Sequence, residues 1–339
     1  MATTTVVKTK VRPVDPEPAA PEPQVRLFPT GSTLLDLQNG GGWVLGRMIN
    51  IVGDSSTGKT GLAVEAAANF ARFYGVEAVR YVETEAAFDD EYARQLGLPD
   101  GIQRADDIRT IEELNDDLSQ FMVQLRASAG LYIVDSVDAL SSQAESERNI
   151  SDKSTYATEK AKVMGEVFRR QVAKLAAKNV CLFLISQTRD AIGGMFVHKT
   201  RSGGRALDFY ASQTVWLSEV SKEKRTVSGV DRIVGINVRA TNRKNKIGEP
   251  YRTVDLLLIF NYGVDDEMSL IAWLKRNKAD ESQLIMPLDK YAAAVRAARN
   301  KHDIDELQRY ACDLRAAAKA RWQEIEAALR PPVRKYEIA

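Results

Sequence analysis

The stretch Gly53-Asp54-Ser55-Ser56-Thr57-Gly58-Lys59-Thr60 constrains the fold more than any other part of the chain. It matches the pattern glycine, any four residues, glycine, lysine, then serine or threonine at every fixed position. Residues 47–52 before it read as a short apolar strand, and residues 62–73 after it as an alanine-rich helix. Strand, glycine loop and helix in that order make an anion-binding nest. The loop amides turn inward, and the helix N-terminus adds a partial positive charge. In such a loop Lys59 reaches the β- and γ-phosphates, and Thr60 offers its hydroxyl to Mg²⁺. A chance match in a glycine-containing turn would lack these flanks, so the sequence predicts nucleotide binding.

The chain of 339 residues can hold one large domain, or a core domain with an appendage. Cys181 lies in an apolar run and Cys312 in a polar helical stretch. That placement argues against a disulfide or a zinc site and fits a reducing cytoplasm. No run is long and apolar enough to span a membrane. Residues 1–10 lack the apolar block of a signal peptide and read as a tail. A formal net charge of +1 gives no global sign of nucleic acid, so such a partner has to be met by local clusters.

Residues 1–24 contain Pro13, Pro16, Pro18, Pro21 and Pro23 and read as an extended arm. Residues 25–28 suit a short strand, and a helix follows Ser32 and stops before Gly40. After the phosphate loop, apolar strands are expected at 79–82, 131–134 and 180–185. Helices are expected at 88–96, 111–127 and 160–178, the second with apolar residues at helical spacing. Such alternation predicts an α/β fold, a mostly parallel central sheet with helices on both faces. Strands expected at 214–220, 233–240 and 254–260 would extend it in antiparallel fashion. A helical C-terminal region follows Gly263. Its last helix, 304–329, has Leu307, Tyr310, Leu314, Ala318, Trp322, Ile325 and Leu329 on one stripe, which reads as a packing face.

In a sheet of this kind ligands sit beyond the strand C-termini. Asp135 closes an apolar strand there, where an acid holds Mg²⁺ together with Thr60. Glu83 and Glu85 end a neighbouring strand on the same side. Either carboxylate could orient the attacking water, and spacing does not choose between them. Gln187 ends a third strand, where an amide can sense a γ-phosphate and move the segment after it. That segment carries Arg189, Met195, Phe196, Lys199 and Arg201 between the paired glycines Gly193-Gly194 and Gly203-Gly204. Cations with an apolar wedge on a glycine-hinged loop suit single-stranded nucleic acid. A plain surface loop would have the same composition.

Together these residues resemble the RecA recombinase family, from about Thr30 to Asp265. The resemblance rests on Thr30-Gly31-Ser32 with Leu35-Asp36, the phosphate loop, Glu83-Thr84-Glu85-Ala86-Ala87-Phe88-Asp89 with Tyr92-Ala93-Arg94, and residues 133–140. Its most specific stretches are Ile192-Gly193-Gly194-Met195-Phe196 and Gly203-Gly204-Arg205-Ala206-Leu207-Asp208-Phe209-Tyr210-Ala211-Ser212. The resemblance implies a RecA-type P-loop ATPase core over 30–265; outside it the residues themselves read as an extended N-terminal arm over 1–29, a candidate oligomerisation segment, and a helical C-terminal region over 266–339. It implies ATP and Mg²⁺ as cofactors, Glu85 as the catalytic glutamate and Gln187 as the γ-phosphate sensor. It puts Tyr92 and Asp89 at the adenine, with 141–161 and 189–205 as two DNA-contacting loops. Lys162 and Arg169 fall on phosphate-contacting positions. Lys244 and Lys246 fall on lysines that reach a neighbouring subunit's ATP.

The resemblance also implies an activity. A recombinase of this kind forms a helical filament on single-stranded DNA, pairs it with homologous duplex DNA, exchanges strands and hydrolyses ATP in a DNA-stimulated way. A single-strand-binding protein or a loader would assist it in the cytoplasm, at the nucleoid or, for a phage-encoded protein, in the host. The alternative is a RecA-like accessory ATPase that binds DNA and regulates another recombinase or a replisome. Several features depart from the family: the second loop is one residue shorter and carries Val197-His198-Lys199, and the C-terminal region shows no clear similarity and no strongly acidic tail. Asp54 replaces a proline in the phosphate loop, Gly61 follows Thr60, and the N-terminal polymerisation helix is missing. Leu27-Phe28 is therefore expected to dock on an adjacent subunit.

Overall fold

The computed structural model describes residues 26–86, 88–147, 156–190, 199–201 and 204–331. A 10-stranded sheet organises them. Its middle is parallel and consists of β3 (Met48–Gly53), β4 (Val79–Glu83), β5 (Gln103–Ala105), β6 (Gly130–Asp135), β7 (Val180–Asp190) and β9 (Gln213–Val227). The spatial order runs β9-β3-β7-β6-β4-β5. Helices cover both faces, which is why β3 and β6 are buried at every residue and are mostly apolar; Asn50 of β3 is the buried exception and accepts a hydrogen bond from Ser186 Oγ at 2.9 Å. Beyond β9 the sheet continues through β10 (Val230–Asn245), β11 (Thr253–Ile259) and β12 (Gly263–Val264), each antiparallel to its neighbour. The antiparallel extension is as expected.

The register sets the strand ends level. Gly53 pairs with Gln187, and Glu83 with Asp135. Three of the carboxylate and amide positions singled out in the sequence thus share one edge with the phosphate loop. β7 runs on past the expected end at Ile185 to Asp190. There it pairs with β8 (Lys199–Arg201), so the second loop has a two-stranded root. Met195, Phe196 and Gly203 lie outside the described residues, as do 148–155 of the first loop and the arm 1–25.

The helices are α1 (Thr33–Asn39), α2 (Lys59–Tyr74), α3 (Asp90–Gln95), α4 (Ile111–Gln124), α5 (Gln143–Ser146), α6 (Tyr156–Lys178) and α7 (Gly204–Tyr210). Thr110 and Glu113 form a capping box that fixes the start of α4. Then α8 (Asp266–Arg276), α9 (Leu288–Lys301) and α10 (Ile304–Leu329) complete the chain. Their apolar residues, among them Leu270, Tyr291 and Leu314, belong to the same buried cluster as Ile51 and Phe70. On α10 the expected stripe packs inward except Leu329, which is 69% exposed.

One expectation is corrected here. Leu27–Phe28 is strand β1, paired with β2 (Trp43–Val44) of the same chain. Phe28 is 2% exposed and meets Phe70 edge-on at 5.0 Å. An aromatic ring fills its own core before a neighbour's when both surfaces lie in one chain, since no association entropy is lost. Phe28 has no ring surface left for an adjacent subunit. The strands β9 and β10 are also twice as long as expected. They form a hairpin closed by Ser228 and Gly229 at φ 51° and 79°, the left-handed pair that a two-residue hairpin turn demands.

Candidate functional site: the phosphate loop and its rim

β3 delivers the chain to Gly53 between β7 and β9. A Cβ on Gly53 would stand 2.6 Å from Thr57 Oγ1, so the turn admits only glycine. Ser56 and Gly58 take left-handed backbone at φ 61° and 84°, which turns the following amides inward. α2 then starts at Lys59 with no side-chain cap. Its first amides remain available to an anion. Lys59 is 7% exposed and donates from Nζ to the Asp54 carbonyl oxygen at 2.6 Å. Burial draws its pKa down, against the opposing pull of Asp135, Glu85, Asp138 and Asp54. A phosphate group would satisfy this ammonium better than one carbonyl does.

The Thr60 side chain lies beside Asp135, and Tyr81 Oη donates to Asp135 Oδ2 at 2.9 Å. Burial pulls the Asp135 pKa up, with Thr60 and Tyr81 opposing. A half-satisfied carboxylate beside a hydroxyl is a donor set that fits Mg²⁺, which takes few protein oxygens and keeps its remaining positions for water and phosphate. Among the described residues no group of three or more His, Cys, Asp or Glu could hold a metal ion by itself.

The two glutamates left open by spacing go to different places. β4 ends at Glu83, which is 5% exposed. Its carboxylate folds back to accept the amides of Glu85 at 2.9 Å and Ala86 at 2.8 Å. Glu85 is exposed. Its Oε1 accepts Ser136 Oγ at 2.6 Å and Gln187 Nε2 at 3.0 Å. Glu83 therefore shapes the turn that presents Glu85, and Glu85 meets Gln187 over the loop. Ser136 and Asp138 were missed as site residues. Asp138 Oδ2 accepts the Gln187 amide at 2.7 Å. The run 135–138 contained both, but spacing along it gave no sign of contact with a strand fifty residues on.

Beside the loop lies a cavity of ≈ 240 Å³ lined by Gly58, Gly61, Tyr92, Leu258, Phe260 and Gly263. Its mainly apolar lining, with two aromatic rings, suits a nucleobase. A Cβ on Gly61 would lie 3.3 Å from the Tyr92 hydroxyl, so the glycine after Thr60 leaves room for that ring. Phe260 is 51% exposed and was not picked out from sequence. Asp89 caps α3 instead of facing the cavity: its Oδ1 accepts the amides of Glu91 and Tyr92.

Further from the loop, Lys162 and Arg169 stand exposed, two turns apart on α6. Arg189, Lys199 and Arg201 lie in the paired strands β7 and β8, and Gly204 begins α7. Lys244 donates from Nζ to the carbonyl oxygens of Asp208 and, at 2.9 Å, Phe209, the last turn of α7. A cation there also complements the helix dipole. Lys246 is exposed and its amide binds the Ser212 carbonyl at 2.9 Å.

The architecture and the loop define a P-loop nucleotide-binding protein of the α/β class. A family model for the RecA N-terminal domain matches residues 18–265. The chain is 34% identical to Protein RecA of Thermus thermophilus over 256 residues, covering 74% of this chain and 72% of that protein. It is 34% identical to Protein RecA of Borrelia duttonii over 259 residues, 75% of this chain and 69% of the relative. The chain belongs to the RecA family, whose themes are DNA recombination and repair, with ATP and DNA binding. Among the described residues no helix is long and apolar enough to cross a membrane.

Proposed function

We propose that the chain is an ATP-dependent DNA recombinase. It forms a helical filament on single-stranded DNA with ATP between subunits, pairs that strand with homologous duplex DNA and exchanges strands. ATP hydrolysis to ADP and phosphate is DNA-stimulated. The observation that carries this reading is the meeting of Glu85 and Gln187 at 3.0 Å, between the phosphate loop and the root of the second loop.

The residues divide the work as follows. Residues 53–60 bind the phosphates through loop amides and Lys59, and Thr60 and Asp135 hold Mg²⁺, which when bound offsets the phosphate charge. Glu85, steadied by Ser136, orients and deprotonates the attacking water. Gln187 reads the γ-phosphate and passes the result to the strand that follows. Tyr92 and Phe260 flank the base, with Asp89 fixing the helix that carries Tyr92. Lys162, Arg169, Arg189, Lys199 and Arg201 meet DNA phosphates. Met195 and Phe196 enter between bases, with Gly203 and Gly204 in the same DNA-binding segment. Lys244 and Lys246 serve the neighbouring subunit's ATP. Residues 30–265 are the working core, 1–29 an arm and 266–339 a helical region. The protein acts in the cytoplasm, with a single-strand-binding protein or a loader as accessory.

The test combines two assays on the full chain: ATP hydrolysis with and without single-stranded DNA, and transfer of a labelled strand between homologous DNAs. Stimulated hydrolysis with transfer is expected. Stimulated hydrolysis without transfer would point to an accessory ATPase, and no hydrolysis under any condition would sink the reading.

A further inference from the structure

A side-chain hydrogen bond joins the phosphate loop to the root of the β7–β8 ribbon: Thr188 Oγ1 donates to Asp54 Oδ1. Asp54 works at both ends. Its carbonyl oxygen accepts Lys59 Nζ at 2.6 Å and Thr57 Oγ1 at 2.9 Å. Its carboxylate accepts the residue next to Gln187. Gln187 itself is fixed by Asp138, which takes its amide at 2.7 Å. A change at Thr188 is therefore passed forward into the ribbon, where Thr188 pairs with Arg201, and not back into the buried part of β7.

The position is chemically unusual. A carboxylate in the loop that receives phosphates adds like charge to a site already rimmed by Asp135, Glu85 and Asp138, all acting on the one buried ammonium of Lys59. A half-buried carboxylate could relieve that repulsion by turning to solvent. The hydroxyl of Thr188 holds it in place through a charge-assisted bond.

We propose that the Asp54–Thr188 hydrogen bond is a latch that a bound triphosphate opposes, so that nucleotide in the loop and release of the ribbon root favour one another. Two states follow, latched and open. Phosphate binds the open state better because the carboxylate can swing away. The ribbon is free to adjust to its ligand in the open state because Thr188 is no longer tied to the loop. With both ligands binding the open state alone, weakening the latch raises the affinity for either ligand by the same factor, the gain in open fraction. The ribbon's ligand, single-stranded DNA, rests on the function proposed above; the nucleotide half does not.

The experiment uses the full chain as Thr188→Val and Thr188→Ser, with a fluorescent non-hydrolysable ATP analogue and Mg²⁺, and separately a labelled single-stranded oligonucleotide. Thr188→Val should bind the analogue about fivefold more tightly in the absence of DNA. It should gain the same factor for the oligonucleotide without nucleotide, and nothing for the oligonucleotide with saturating analogue. Thr188→Ser, which keeps the hydroxyl, should behave as the parent. Should the valine variant not fold, Thr188→Ala removes the same hydroxyl, leaves the Asp54 charge in place and should show the same gain. Unchanged or weaker analogue binding in the folded variant would overturn the latch. A parent protein that ignores the oligonucleotide, while Thr188→Val still gains analogue affinity, would defeat the nucleic-acid reading and leave the latch standing.

Discussion

Arg252 and Glu326 are joined by two parallel N–H···O bonds of 2.5 and 2.6 Å, which fasten the end of α10 to the segment between β10 and β11. The same segment is held from the other side, where Gln38 Nε2 donates to the Arg252 carbonyl at 2.6 Å. A bidentate pair of this kind is worth more than an exposed contact, since the guanidinium is fixed and both partners are largely covered. Trp322, one turn earlier, stacks on Trp273 of α8 at 5.8 Å.

Breaking that pair should therefore cost stability. Glu326→Ala is expected to lower the unfolding free energy by roughly 1–3 kcal/mol. The measurement is chemical denaturation of Glu326→Ala, Arg252→Ala and the double variant. A coupling near zero in the cycle would show that this pair does not help to hold α10.

A second prediction concerns pH. Burial pushes the Glu65 carboxyl up to about 7, with the Val264 amide opposing and Asp266 adding to the rise. Burial likewise lifts Asp36 to about 6, against a hydrogen bond from the Thr30 amide. Tyr92 faces Glu65, and Arg315 faces Asp266 at 3.2 Å. In the unfolded chain these groups titrate from 4.5 and 3.8. Within the window between the unfolded and folded values the native protein holds protons that the unfolded chain has lost, so stability falls as pH rises. Above the folded values it levels off. The slope is at most ~1.4 kcal/mol per pH unit for each group. Melting temperature should be higher near about pH 5.5 than about pH 8, and Glu65→Gln should flatten much of that difference. A flat profile in the parent would refute it.

What the sequence made legible follows from period and length. The parallel strands could be found because both their faces are buried, leaving unbroken apolar runs such as 131–134. The outer halves of β9 and β10 could not: beyond Leu217 and before Val234 both faces are exposed, and no alternation marks them. β2 and β5, at 2 and 3 residues, are shorter than any period. At the site, the phosphate loop declared itself because its residues are contiguous. Glu83 and Glu85 could not be told apart, because strand alternation stops holding where the chain turns at Ala86, φ 55°. Phe260, Ser136 and Thr188 reach the site through pairings distant in sequence.

The base cavity yields a third prediction. Phe260 and Tyr92 both line it. Phe260→Ala should weaken ATP-analogue binding by about 1–3 kcal/mol if the ring stacks on the base. A triphosphate lacking a base should not notice the change. Equal losses for both ligands, read by titration calorimetry, would mean the variant has disturbed the loop instead.

The last prediction separates binding from turnover at the rim of the loop. Among the described residues Glu85 makes no hydrogen bond to Lys59 or to the loop amides; its Oε1 is shared by Ser136 and Gln187. Glu85→Gln keeps the size and the acceptor oxygen but removes the base, so ATP-analogue affinity should hold while turnover falls about 10²-fold or more. Ser136→Ala leaves the carboxylate but frees it to rotate. Its loss should be smaller, on the order of tenfold, and should appear in kcat with KM unchanged. Lys59→Ala is the contrasting case. The cation that answers the phosphates is gone and four neighbouring carboxylates, Asp135, Glu85, Asp138 and Asp54, remain, so nucleotide binding itself should fail. If Glu85→Gln lost binding as Lys59→Ala does, the carboxylate would belong to the cradle and the base would have to be sought elsewhere on this rim.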